Sequence, residues 1–133
     1  MGTGQAKQST IFLIEEDDET RIVLKQSLTR SGYRLSVAID AEDALDRVSD
    51  GRMSADLILI NVVGKSLEEH LQMGRHIREQ AKLDGNTPLV VMAEKYGKDL
   101  EGTDENVGGN DWIFYLGEDP EQLQNLLRRL TGT

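Results

Sequence analysis

Residues 11–21 read IFLIEEDDETR, four apolar side chains followed at once by five acidic ones. A short run of β-branched, aromatic and leucine residues stopped by charge is the pattern of a strand buried on both faces. The acids that follow suit the first turn of a helix, where negative charge meets the positive end of the helix dipole. Asp18 precedes Ile22, Val23 and Leu28 on one side of that helix, and Gly32 is placed to end it. A buried strand running straight into a helix is the repeating unit of an α/β layer fold.

The same unit recurs along the chain. Leu57–Val63, Leu89–Ala93 and Trp112–Leu116 are further apolar runs of strand length. Tyr33–Ala38 instead alternates Tyr33, Leu35 and Val37 with Arg34 and Ser36, as a half-covered edge strand does. Helical signals lie between them. Asp40 precedes Ala41, Ala44, Leu45 and Val48. Leu67–Ala81 carries Leu67, Leu71, Gly74, Ile77 and Ala81, with Gly74 weakening its middle. The last helix is the clearest: Asp119 as cap, Pro120 at the first position, Gln122 at capping-box spacing, a stripe of Leu123, Leu126, Leu127 and Leu130, and Gly132 at its end. Five alternations of strand and helix predict a parallel sheet with right-handed crossovers and helices on both faces. The stretch Gly97–Gly109 holds four glycines and only Leu100 and Val107 as apolar anchors, so a short or frayed helix is expected there.

At 133 residues the chain fits one domain, which buries roughly two-thirds of its unfolded surface on folding. With 24 acidic against 15 basic residues its net charge is −9, which disfavours nucleic-acid phosphates and anionic membranes as partners. There is no cysteine, and only two histidines, so disulfide frameworks and thiolate zinc sites are excluded. His70 and His76 are six apart, on different faces of a helix at about 100° per residue, and both read as helix-surface residues. No segment has the apolar length of a membrane span or a signal peptide, so a cytoplasmic protein is expected.

In a doubly wound sheet, chemistry sits beyond the carboxyl ends of the strands, which here are Glu15 and Glu16, Asn61, Ala93 and Tyr115. Taken in order, IFLIEEDDETR, GYRLSVAIDAEDALDRV, ADLILIN, TPLVVMAE and GGNDWIFYL resemble the response-regulator receiver domains of two-component systems over Thr10–Leu130. The resemblance implies a flavodoxin-like (CheY-like) five-stranded parallel sheet of order 2-1-3-4-5. It divides the chain into a mobile tail, residues 1–9, and a receiver-like domain, residues 10–133.

A working receiver holds magnesium with an acidic pair after the first strand and takes phosphate on an aspartate after the third. Magnesium needs hard oxygen ligands and phosphoryl transfer an anionic nucleophile. On the family's pattern the acidic pocket is Glu15 and Glu16, which are also the metal ligands if a metal is held. Asn61 stands at the phosphoacceptor position, and its neutral amide is a poor nucleophile. Ala93 stands at the switch hydroxyl and offers no hydrogen bond. Trp112 takes the place of the aromatic switch residue, while a strand residue partly covered by the irregular fourth helix is an equal reading. The lysine position falls on Tyr115, or on Leu116 if aligned through the last helix, and neither is a cation. Asp56 lies at the opposite end of the third strand and cannot substitute. The loop VVGKSLEEH lacks the usual proline and is one residue longer than the common pattern.

The expectation is therefore a degenerate pseudo-receiver: no enzyme, no cofactor, acting by binding signalling proteins such as a histidine kinase or an output protein, with a homodimer compatible with it. The face expected to do so is Tyr96–Gly109 with the fifth strand and last helix. The rival reading is a receiver phosphorylated at a non-standard residue with weak phosphoryl-transfer activity. A flavodoxin-like cofactor binder is set aside because the loop after the first strand is acidic and lacks the glycine or small hydroxylated residues that cradle phosphate.

Overall fold

The computed structural model describes residues 8–49, 51, 53–61, 65–83, 85–94 and 96–132. Strands β1 (Thr10–Glu15), β2 (Arg34–Ala38), β3 (Leu57–Asn61) and β4 (Leu89–Ala93) alternate with helices α1 (Asp18–Arg30), α2 (Ala41–Val48) and α3 (Leu67–Gln80). After a 3-10 turn at Lys98–Leu100 come β5 (Asp104–Gly108), β6 (Asp111–Tyr115) and α4 (Pro120–Thr131). The strand order is β2-β1-β3-β4-β6-β5, parallel throughout except for β5, which runs antiparallel to β6.

Alternation along the central strands sorts the core into two layers. Phe12, Ile14, Ile58, Ile60, Leu89 and Val91 pack with Ala44 and Val48 of α2 and Leu71 and Ile77 of α3. Ile11, Leu13, Leu57, Leu59, Val90, Met92 and Phe114 pack with Leu24 and Leu28 of α1 and Leu123, Leu126 and Leu127 of α4. As its alternating pattern predicts, β2 is an edge strand.

The helix starts are set by local chemistry. Asp17, not Asp18, caps α1 by accepting from the Thr20 amide at 2.8 Å. Asp40 caps α2 through the Asp43 amide, and Ser66 with Glu69 forms a full capping box on α3. Asp119 caps α4 through the Glu121 amide, and Gly132 ends it in the left-handed region at φ 74°. Gln122, expected to close a capping box, instead lies against Gly102. Helix α3 passes through Gly74 unbroken, because the glycine is where the helix meets the sheet: a Cβ there would overlap both methyls of Leu89.

Three expectations, on the strand count, the fourth helix and His70, are corrected. The sheet has six strands, not five, and is mixed. Where a short fourth helix was expected, Gly97–Gly109 holds one 3-10 turn and the edge strand β5, which returns through Gly108 and Gly109 at φ 126° and 55°. The polar segment DENVG gains its backbone hydrogen bonds from β6, its antiparallel hairpin partner across the Gly109–Asn110 turn, a pairing that a reading as helix does not anticipate. His70 is buried rather than on the helix surface, its Nδ1 2.8 Å from the Ser66 carbonyl. The expected tail lies outside the described residues up to Lys7; next to β2, Ser9 is buried and its carbonyl accepts from the Arg34 amide, and Gln8 accepts from Arg34 Nε at 2.9 Å. The loop of residues 62–64 also lies outside the described residues.

At the amino ends of the strands, Asp56 accepts from the Thr10 amide at 2.8 Å and so pins the start of β1. Asp111, 5% exposed, is held between Arg75 Nε at 2.7 Å and Arg78 Nη1 at 2.8 Å, which ties α3 to β6. Among the described residues no helix is long and apolar enough to cross a membrane.

Candidate functional site

The order β2-β1-β3 reverses direction at β1, so the crevice of this sheet opens beyond the carboxyl ends of β1 and β3. Parallel register sets Glu15 directly beside Asn61 there. Both side chains are buried, Glu15 at 0% and Asn61 at 4% exposure. Asn61 Nδ2 donates to Glu15 Oε1 at 3.1 Å and Oε2 at 3.0 Å, and to Glu94 Oε1 at 3.0 Å. Glu15 Oε2 also accepts from the Asp17 amide at 3.1 Å, and Arg21 Nη1 holds the Glu15 carbonyl at 2.8 Å. Glu16 joins through its backbone, its N–H donating to the Asn61 carbonyl at 3.3 Å.

Burial pushes the Glu15 carboxyl up from its ordinary 4.5 to about 7. The Asn61 and Asp17 hydrogen bonds oppose that rise, and the charges of Glu94 and Asp17 add to it. The amide of Asn61 is thus a neutral donor set between two carboxylates, where it satisfies Glu15 without bringing a positive charge.

The resemblance implies magnesium at this place, and the residues as arranged do not fit it. Magnesium asks for several oxygen ligands in near-octahedral geometry. Here Asn61 turns its NH2 toward the carboxylates, Glu15 titrates near neutrality, and among the described residues no three His, Cys, Asp or Glu side chains group as a metal site.

The remaining positions lie on β4 and β6. Ala93 is buried at the end of β4, paired in register with Tyr115, and its carbonyl accepts from the Leu116 amide at 3.0 Å. Tyr115 points toward the added strand: its hydroxyl donates to Glu105 Oε1 at 2.9 Å, and its ring meets Tyr96 edge-on at 5.4 Å. Burial, then the Glu105 hydrogen bond and charge, raise the Tyr115 hydroxyl above its ordinary value. Tyr96 in turn donates to the Leu116 carbonyl. Trp112 packs in the layer covered by α1 and α4, as does Leu116. Two participants escaped the sequence reading. Glu94 sits one residue past the strand end and carries no pattern of its own. The Asp17 amide is a backbone group, invisible to side-chain motifs.

No family model matches the chain. Among curated proteins it is similar to the uncharacterized transcriptional regulatory protein YkoG of Bacillus subtilis, 25% identical over 120 residues, covering 90% of this chain and 48% of that protein. It is 31% identical over 86 residues to the transcriptional regulatory protein AfsQ1 of Streptomyces coelicolor, covering 65% and 35%. The chain thus spans half or less of the length of these relatives. Among solved structures, a response regulator receiver protein from Sinorhizobium medicae superposes with a TM-score of 0.70 at 17% identity over 96% of this chain and 97% of that one. The receiver domain of the sensor histidine kinase PA1611 from Pseudomonas aeruginosa, with magnesium coordinated in its active-site cleft, gives 0.66 at 21% over 96% and 100%. At these identities the solved structures establish the fold. Strand order, the placement of the crevice and the likeness to the regulatory proteins together support a response-regulator receiver (CheY-like) domain.

Proposed function

We propose that this chain is a degenerate receiver that takes no phosphate and acts as a protein interaction module in a phosphorelay (two-component) pathway. The observation that carries the reading is the Asn61 amide hydrogen-bonded to Glu15 and Glu94. A phosphoacceptor must present an anionic oxygen to an electrophilic phosphorus, with nearby cations to neutralise the charge that develops. Asn61 presents a donor instead, Ala93 brings only a methyl group, and the Tyr115 hydroxyl is engaged by Glu105. The partners are signalling proteins such as a histidine kinase or an output protein. Nucleic acid and anionic membrane are disfavoured by a net charge of −9, and the setting is cytoplasmic.

The amide NMR spectrum tests this reading. Spectra recorded with and without a small-molecule phosphodonor and magnesium should superpose. Shifts centred on Asn61, Ala93 and Tyr115 on adding the phosphodonor would contradict it.

A further inference from the structure

Strand β5 ends the sheet, and among the described residues it pairs with β6 alone. The Tyr115 N–H donates to the Thr103 carbonyl, and the Tyr115 carbonyl accepts from the Gly102 N–H, so the backbone groups of Tyr115 face β5. Backbone groups in an antiparallel ladder change sides with a period of two. Those of Ile113 therefore face β5 as well, and those of its register partner Glu105 face β6. The N–H and C=O groups of Asp104 and Asn106, on either side of Glu105, are left pointing out of the sheet.

Such a row is a template for another strand unless side chains or a bulge block it. The bulge of β5 falls between Asn106 and Gly108, beyond these two residues. The side chains are drawn back over the sheet, Asp104 and Glu105 on opposite faces. Asp104 Oδ2 accepts from Arg129 Nη2 at 2.6 Å, and Glu105 Oε1 accepts from the Tyr115 hydroxyl at 2.9 Å. Asn106 Nδ2 donates to the Gly109 carbonyl at 3.1 Å and the Asp111 carbonyl at 3.3 Å. The acids of this edge therefore mark its charge without covering its backbone.

We infer that the outer edge of β5 takes up an extended basic segment of a partner protein, which bonds the backbone of Asp104 and Asn106 and sets a lysine or arginine beside Glu105. The inference rests on the reading of the chain as an interaction module and names the surface and the form of its partner. In strand addition the main chain supplies affinity and alternate side chains supply specificity. Two acids on the strand and a net charge of −9 select a basic segment. A second copy of this chain fits poorly: the antiparallel register that uses both Asp104 and Asn106 sets the two Glu105 side chains opposite each other, and like charges in that position are destabilising.

Amide hydrogen exchange of the full chain, followed by NMR with a capped peptide alternating Arg and Val, tests the inference. With the arginine opposite Glu105, the valines carry the backbone groups that meet β5. The peptide should slow exchange of the Asp104 and Asn106 amides about tenfold or more. N-methylation of its valines, which keeps every charge, should abolish the effect, and N-methylation of its arginines should leave it. Glu105→Arg should lose the response to this peptide and gain one to a peptide alternating Glu and Val, a reversal that loss of the Tyr115 contact alone does not produce. No slowing at about 1 mM peptide, slowing elsewhere than at Asp104 and Asn106, or binding indifferent to valine methylation would overturn the edge assignment while leaving the interaction-module reading in place. Slowing in the chain alone as its concentration rises would make a second copy the occupant and overturn the basic partner. Slowing that requires prior phosphodonor treatment would overturn both readings.

Discussion

The side-chain nitrogen of Asn61 lies within 3.1 Å of both carboxylate oxygens of Glu15, so one neutral amide, with the Asp17 backbone N–H, closes a buried acid. Everything else at the crevice follows from that contact. On the proposed reading, the asparagine at the phosphoacceptor position is also a donor to the buried acid beside it.

Asn61→Asp should therefore destabilise the fold rather than simply restore a site. The new carboxylate loses the donors to Glu15 and Glu94 and sets a third acid among them. The cost at pH 7.5 should be about 3 kcal/mol, in the range of an uncompensated buried charge. It should shrink at pH 5, where Glu15 is protonated. Chemical denaturation of parent and variant at both pH values measures this, and equal stability of the two proteins at pH 7.5 would mean that the amide contact contributes nothing.

Glu15 also makes stability depend on pH in the direction opposite to a paired carboxylate. Its folded value, about 7, lies above its ordinary 4.5, so between these values the folded state binds more protons than the unfolded one. Its contribution is intact below about pH 4.5 and is lost as pH rises through about 7, with a total of at most about 3 kcal/mol. Glu15→Gln, which cannot titrate, should flatten this part of the profile. Denaturation midpoints taken across this interval for both proteins provide the check.

Gly74→Ala is a test of the helix-sheet contact. Helix propensity alone favours alanine by about 1 kcal/mol. The added methyl, however, would overlap Leu89, and overpacking of this kind costs about 1–3 kcal/mol. A net loss of stability is expected, and a rise in melting temperature would show that Leu89 moves aside freely.

The parts of this fold that were legible in the sequence are those dictated by short-range pattern. The buried runs around Phe12, Ile58 and Val90, the edge alternation of Tyr33–Ala38, and the caps Asp40 and Asp119 all rest on neighbours a few residues away. Strand β5 rests on β6 instead, and its DENV segment shows no alternation because its side chains largely face water. The two-residue turn Gly109–Asn110 before DWIFY is a hairpin signal, which the glycine count of the segment obscures. At the site, Glu15 and Asn61 were found because strand ends are predictable. Glu94 was not, since only the parallel pairing of β3 with β4 brings it within reach of Asn61. The clasp of Asp111 by Arg75 and Arg78 is likewise a long-range contact, with nothing in the spacing to announce it.

The most direct measurement of the central claim is the intact mass of the protein after incubation with a small-molecule phosphodonor and magnesium. The account predicts an unchanged mass, because Asn61 offers a hydrogen-bond donor where a nucleophilic carboxylate would be required. A stoichiometric gain of one phosphoryl group, at any residue, would contradict it.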